Sequence, residues 1–235
     1  MPLVILAFWL TKIMATTVGE TGADLLATRL GLGLSMTSLI MTGMFIAFLV
    51  WQVRAKAYVP SHYGITVVLI SVVGTQISGN LVDGFGISLK TTTVVFSVIL
   101  AIVLATWYRS EKTLSIHSIV PRRRELFYWA AILFTFALGT SAGDLVAEGF
   151  DLGYLNAAIL FGGLIGLAAM AHFVFAQDAV VCLWIAHILT RPFGASIGDY
   201  FVPSRTSLAA WACSVQHLPW LLETASLICY SLKPP

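Results

Sequence analysis

Residues 126–141, "LFYWAAILFTFALGTS", carry no charged side chain, and stretches like this recur along the chain. A helix needs about 20 mainly apolar residues to cross the hydrocarbon core of a bilayer. Eight segments meet that condition: 3–25, 33–53, 63–82, 88–108, 127–147, 153–175, 179–198 and 206–230. Their apolar residues run continuously and do not alternate with polar ones, which excludes a transmembrane barrel. Composition agrees. Hydrophobic residues make up 58% of the 235 and charged residues 10%, with a mean hydropathy of +0.90. A soluble domain carries about 25% charged residues. The expectation is an all-α, polytopic helical membrane protein of about eight transmembrane helices, forming a single integral membrane domain over residues 1–235.

Positive charge sets the expected orientation. With the N-terminus inside, the cytoplasmic segments hold Arg54, Lys56, Arg109, Lys112, Arg122, Arg123, Arg124 and Lys233, against Arg29, Lys90 and Arg205 outside. Both termini are therefore expected in the cytoplasm. The run "PRRRE" at 121–125 reads as a topology signal beside a span, so no nucleic-acid partner is expected. Cys182, Cys213 and Cys229 form no C-x-x-C pair and suggest neither a zinc site nor a disulfide framework. The first twenty residues lack a basic leader and a cleavage pattern and read as a retained first span.

One pattern repeats. "GETGAD" (19–24), "GTQISGN" (74–80), "GTSAGD" (139–144) and "GASIGD" (194–199) begin at glycines spaced 55, 65 and 55 residues apart. Ten residues before the glycine stand Trp9, Trp129 and Trp184, with Gly64 in the second copy beside Tyr63. Five residues after it stand Asp24, Asp144 and Asp199, with Gly79 in the second. Each copy holds two spans, so all four enter the membrane in the same direction: four parallel helical-hairpin repeats at about 5–60, 61–120, 126–178 and 180–235. The tryptophans then lie toward the cytoplasm as interface or packing aromatics, and the aspartates about 22 Å further along the helix. The glycines between them allow neighbouring helices to approach closely.

Depth singles out one carboxylate. Glu20 lies eleven residues past Trp9, about 16 Å along a helix and near the middle of the core. A carboxylate there costs at least about 2.5 kcal/mol on insertion scales, which helix packing alone does not require. The same repeat position holds Thr75, Thr140 and Ala195. Carboxylate and hydroxyl oxygens suit protons and hard cations. The expected cation pathway is Glu20, Asp24, Asp144, Asp199, Thr140 and Thr75, with Glu20, Asp24 and Asp144 as metal ligands if the ion is a metal. Arg191 and His187 are candidates for charge pairing or gating, with Arg191 facing Glu20 or Asp144. Lys12, at the repeat position of His187, is shallow enough to snorkel to the cytoplasm. Pro192 should kink or break its helix. Asp144, Glu148 and Asp151 are spaced to lie along one helical face. Gly162 and Gly166 form a helix-packing pattern, and "LKTTTVVF" at 89–96 opens with hydroxyls able to bond along their own helix.

Trp9, Trp129 and Trp184, with "TTVGETGAD", "FTFALGTSAGD" and "LTRPFGASIGD", resemble a family of bacterial membrane proteins built from four tandem copies of a repeat of unknown function. Each family copy has two transmembrane segments and a characteristic tryptophan. "TTTVVFSVILAIVLATWYRSEKTLSIHSI" is similar to the family's middle section, and the likeness covers residues 5–200. The resemblance implies the bacterial inner membrane. The tail departs from it: "VPSRTSLAAWACSVQHLPWLLETASLICYSLKPP" carries Pro219 and Glu223 within the last span, so the final half-repeat is divergent.

No metalloprotease, hydrolase, P-loop or Rossmann pattern is present, and no enzyme activity or cofactor is expected. Two functions fit. One is a transporter or channel for a small cation, either a proton or a hard divalent metal such as manganese or magnesium. The other is a non-transporting membrane component supporting envelope integrity or acid and metal stress tolerance, its charges forming a static network. The expected partners are the lipid bilayer and a small cation, with a homo-oligomer allowed.

Overall fold

The computed structural model describes residues 33–54, 60–115 and 122–201. Six α-helices run through them: α1 Gly33–Arg54, α2 Pro60–Gly79, α3 Leu89–Glu111, α4 Arg122–Asp144, α5 Tyr154–Phe173 and α6 Ala179–Phe201. All six are long and apolar enough to cross a membrane, and they match the six inner segments of the eight expected. The first and last expected spans, 3–25 and 206–230, lie outside the described residues. No strand occurs among the described residues. Helices satisfy every backbone polar group within the segment, which an apolar solvent demands. Their ends are fixed by local chemistry. Ser88 Oγ accepts from the Thr91 amide at 3.2 Å to start α3, and Asp178 Oδ1 accepts from Val180 and Val181 at 2.9 and 3.0 Å to start α6. The hydroxyls at the start of α3 bond along their own helix, Thr92 to the Ser88 carbonyl and Thr93 to that of Leu89.

Helices α2 and α4 end alike. Each runs into a single π-helical turn, Asn80–Gly84 and Leu145–Gly149. Phe85 N–H reaches Asn80 O at 3.0 Å and Phe150 N–H reaches Leu145 O at 2.9 Å. A left-handed residue follows at the same repeat position, Gly86 at φ 66° and Asp151 at φ 56°. The expected acidic face is thereby corrected. Asp144 ends the α-helix, Glu148 sits in the wider turn and Asp151 lies beyond it, so the four-residue phase that would align them is lost. The Glu148 carboxylate instead accepts a hydrogen bond from the Tyr154 hydroxyl.

The helices divide into two classes. About half of the residues in the α2, α4 and α6 spans are buried, against fewer than a quarter in α1, α3 and α5. Among the described helices, the first of a repeat is thus internal and the second peripheral. Extensive contacts join α1 to α2, α3 to α4, α5 to α6, and the inner helices in the order α2, α4, α6. Helices α2 and α3, the two spans of one repeat, make no comparable contact, and neither do α4 and α5. The hairpin read from the sequence is therefore not the packing unit. Each outer helix leaves its own repeat and packs on the inner helix of the next.

Glycines set how closely the inner helices approach. A Cβ on Gly74 would stand 2.5 Å from Phe136 Cβ, and one on Gly139 would stand 2.5 Å from Arg191 Cβ. Phe136 and Arg191 occupy the same repeat position, three residues before the leading glycine. The α2–α4 and α4–α6 interfaces are therefore one interface used twice. Pro192 does not break α6, which runs unbroken from Ala179 to Phe201. Its ring lies over Gly139 and Gly143, where added Cβ atoms would meet it at 3.1 and 3.5 Å. Of the expected glycine pair on α5, Gly162 packs on the Phe193 ring, whereas a Cβ on Gly166 would meet open space. Gly139→Ala is expected to destabilise the protein by about 1–3 kcal/mol, the usual range for overpacking. Gly166→Ala should leave stability unchanged or slightly raised. Thermal unfolding in detergent compares the two.

Candidate functional site

Side chains four apart share one face of a helix. On α2 one such column is Tyr63, Val67, Ser71, Thr75 and Gly79; on α4 it is Tyr128, Ile132, Phe136, Thr140 and Asp144; on α6 it is Leu183, His187, Arg191, Ala195 and Asp199. Repeat spacing brings these columns into register layer by layer. Members of one layer meet in space. Tyr63 and Tyr128 share a hydroxyl–hydroxyl hydrogen bond of 2.6 Å. The Arg191 guanidinium carbon lies 5.2 Å from the centroid of the Phe136 ring. Thr75 and Thr140 both accept from Arg191 Nη2, Thr140 at 3.1 Å. Equivalent residues of parallel, repeat-related helices touch one another when they face a common axis. The columns therefore line the axis of the inner helices.

Arg191 is the centre of this axis. It stands midway along α6 with no exposed surface. Placing a guanidinium at membrane depth costs about 2.5–3.5 kcal/mol on insertion scales. Its two hydroxyl acceptors and the ring face of Phe136 offset that cost through charge-assisted hydrogen bonds and cation–π attraction. The absent side chain of Gly139 makes room for the arginine stem. The leading glycine of the motif and the threonine after it thus do one job together: the first admits the side chain, the second receives its charge.

Toward the start of the inner helices the axis is closed by aromatics. Tyr63 and Trp129 approach with ring centroids 5.6 Å apart. Trp129 Nε1 and Gln52 Nε2 both donate to Glu125 Oε1 at 3.4 Å. Trp184 donates to the Leu114 carbonyl at 3.1 Å and packs edge-on against Trp107 and His187. Trp129 and Trp184 are both buried, so these repeat tryptophans act as packing residues between helices. His187 is buried beside Trp184 in the layer below Arg191.

Of the residues singled out from the sequence, the structure brings together Thr75, Thr140 and Arg191, with His187 one turn away on α6. Asp144 closes α4 one turn beyond Thr140. Asp199 lies on α6, but its side chain is outside the described residues, as are Trp9, Lys12, Glu20 and Asp24. Among the described residues no group of three or more His, Cys, Asp or Glu is placed to hold a metal ion. Sequence reasoning missed Tyr128 and Phe136, and named Tyr63 only as the neighbour of Gly64. A comparison of every fourth residue across the aligned copies carries that signal. Thr75→Val and Thr140→Val together should destabilise the protein by about 1.5–3 kcal/mol, as loss of hydrogen bonds to a buried charge does. Thr93→Val, which removes only a bond to its own helix, should stay within about 0.5 kcal/mol. Denaturant unfolding in detergent measures both.

Comparison with known proteins places this arrangement in context. The family model of a repeat of unknown function, DUF347, matches at residues 7–58, 63–113 and 127–178. The second and third matched stretches each contain two of the eight segments read from the sequence. The first contains 33–53 and all but the start of 3–25, and the fourth repeat expected at about 180–235 is not among the matches. No curated protein and no solved structure matches the chain.

Proposed function

The chain belongs to the DUF347 repeat family, and from that premise we propose that it is a transporter or channel carrying a small cation along the axis of its inner helices. The observation that carries this reading is the meeting of repeat-equivalent side chains. It makes the four-residue column axial. Lys12, His187, Arg191, Glu20, Asp24, Asp144 and Asp199 all hold positions of that column by repeat spacing. Intramembrane ionisable residues mark ion and proton routes, and repeat spacing assigns these to one column of the sequence pattern. Arg191 favours the proton over a divalent metal. Its guanidinium occupies the Thr75 and Thr140 hydroxyls that would ligate a hard ion, and its charge opposes a second cation nearby. A proton needs only groups that exchange it, and Glu20 shares the repeat position of those two threonines. The proposed setting is the bacterial inner membrane with both termini in the cytoplasm, following the distribution of Lys and Arg.

The enclosure of Arg191 favours a second reading. A guanidinium seated on Gly139 and bonded to two helices is also what a static network would contain, and the protein would then support envelope integrity or stress tolerance without transport. Flux in proteoliposomes carrying a pH-sensitive dye separates the two. The transport reading expects a proton-dependent signal from the wild type and its loss, by tenfold or more (about 1.4 kcal/mol), in Glu20→Gln. No flux of protons, manganese or magnesium from folded, inserted protein would leave the static network.

A further inference from the structure

The second copy departs from its siblings where its motif reads "GTQISGN", and the departure has a structural counterpart in the seam between α1 and α2. Asn80 Nδ2 donates to Ser38 Oγ on α1 at 2.6 Å and to the Gln76 carbonyl at 2.7 Å. On either side of that pair stand Thr37 and Gln76, 1% and 3% exposed. Among the described residues, Thr37 Oγ1 and both polar atoms of the Gln76 amide have no hydrogen-bond partner.

The next repeat provides the comparison. By the 55- and 65-residue spacings, Thr37, Ser38, Gln76 and Asn80 correspond to Thr92, Thr93, Ser141 and Leu145 in the α3–α4 seam. There every hydroxyl is satisfied locally: Thr92 bonds the Ser88 carbonyl, Thr93 that of Leu89, and Ser141 those of Ala137 and Leu138. On α5 the positions of Thr37 and Ser38 are Ala157 and Ala158. The seams thus differ in what they leave over among the described residues. At the Gln76 position the α3–α4 seam satisfies Ser141, the α5–α6 seam leaves the single Ser196 hydroxyl, and the α1–α2 seam leaves a whole amide together with the Thr37 hydroxyl.

We propose that the α1–α2 seam is a binding site for internal water at Gln76 and Thr37, beneath the π-helical turn Asn80–Gly84. The amide decides the ligand. A metal ion would satisfy only Oε1 and an anion only Nε2. Water donates to one and accepts from the other, and it is the usual partner of buried polar groups left over by the protein. Gln76 follows Thr75, which accepts from Arg191, so this water lies at the level of Arg191 but on the face of α2 turned to α1. The site explains why the second copy carries a long amide and an asparagine where the third has Ser141 and Leu145. It is independent of whether the axis conducts.

Radiolytic footprinting of the full chain in liposomes tests it, because hydroxyl radicals formed from ordered water oxidise side chains beside that water. Met41 is the reporter, one turn along α1 from Thr37 and packed against the core. Phe96 is its repeat equivalent on α3, so F96M places a like reporter in the seam whose hydroxyls are satisfied. Met41 is expected to oxidise several-fold faster than the F96M reporter, and Q76S/N80L should remove the excess. Equal rates at the two reporters, or an unchanged Met41 rate in Q76S/N80L, would overturn the site. The paired variant uses residues the third copy already carries. Should it fail to fold, the two reporters compared in the otherwise native chain still decide.

Discussion

The close approach of α6 to Gly139 governs the rest of the structure. Only a residue without a side chain lets the Arg191 stem and the Pro192 ring lie against α4, and only that approach lets one guanidinium reach threonines on two other helices. Neighbouring features follow. Phe136 offers its ring face from the equivalent position one copy earlier. Pro192, which would otherwise weaken a helix by removing a donor, is accommodated because Gly139 and Gly143 provide a smooth surface for its ring. The same interface, with Phe136 in place of Arg191 and Gly74 in place of Gly139, joins α2 to α4.

Reusing one interface has a topological consequence. Among the described residues, α2, α4 and α6 form the inner set, and α1, α3 and α5 each pack on the inner helix of the following copy. Neither α2 with α3 nor α4 with α5 folds back into a packed pair, so stability is shared between copies, as in other repeat architectures. The outer helices expose large apolar side chains such as Leu39, Ile46, Val94, Ile102, Ile159 and Leu167, as a helix facing lipid should. The inner helices keep their hydroxyls, amide, imidazole and guanidinium within the protein. Polarity is thereby confined to the axis and its seams.

The proposed function rests on that confinement. Helix packing alone needs only small residues and aromatics at the ends; an arginine with no exposed surface midway along a helix is an added cost, which both the ion route and the static network would account for. Among the described residues the column carries the Arg191 guanidinium and, at the end of α4, Asp144, with Tyr63 and Tyr128 paired toward its start. The repeats are not equal partners in it. The third supplies a ring and a hydroxyl, the fourth the guanidinium, and the second a hydroxyl beside an amide that seeks a ligand.

Much of this was legible before any coordinates. Runs such as 126–141 dictate helices because an apolar solvent permits little else, and the spacing of Gly19, Gly74, Gly139 and Gly194 dictates repeated units and a repeated close approach. That Thr75 and Thr140 share a level was equally readable, since repeat register is a property of the sequence. The partners across the helices were not. Periodicity says which residues share a face but not which helix that face meets, so the second span of each copy was read as the hairpin partner of the first when it packs on the next copy. The π-helical turns after Gly79 and Asp144 escaped for a similar reason. They change the phase of Glu148 and Asp151 through backbone hydrogen bonds that no residue pattern encodes. The helices, their number within the described residues and their small-residue faces follow from local chemistry and the solvent, and so were readable in the residues alone. That Arg191 on α6 donates to threonines on both α2 and α4 emerges only from the packing, because it depends on which glycine each helix finds opposite it.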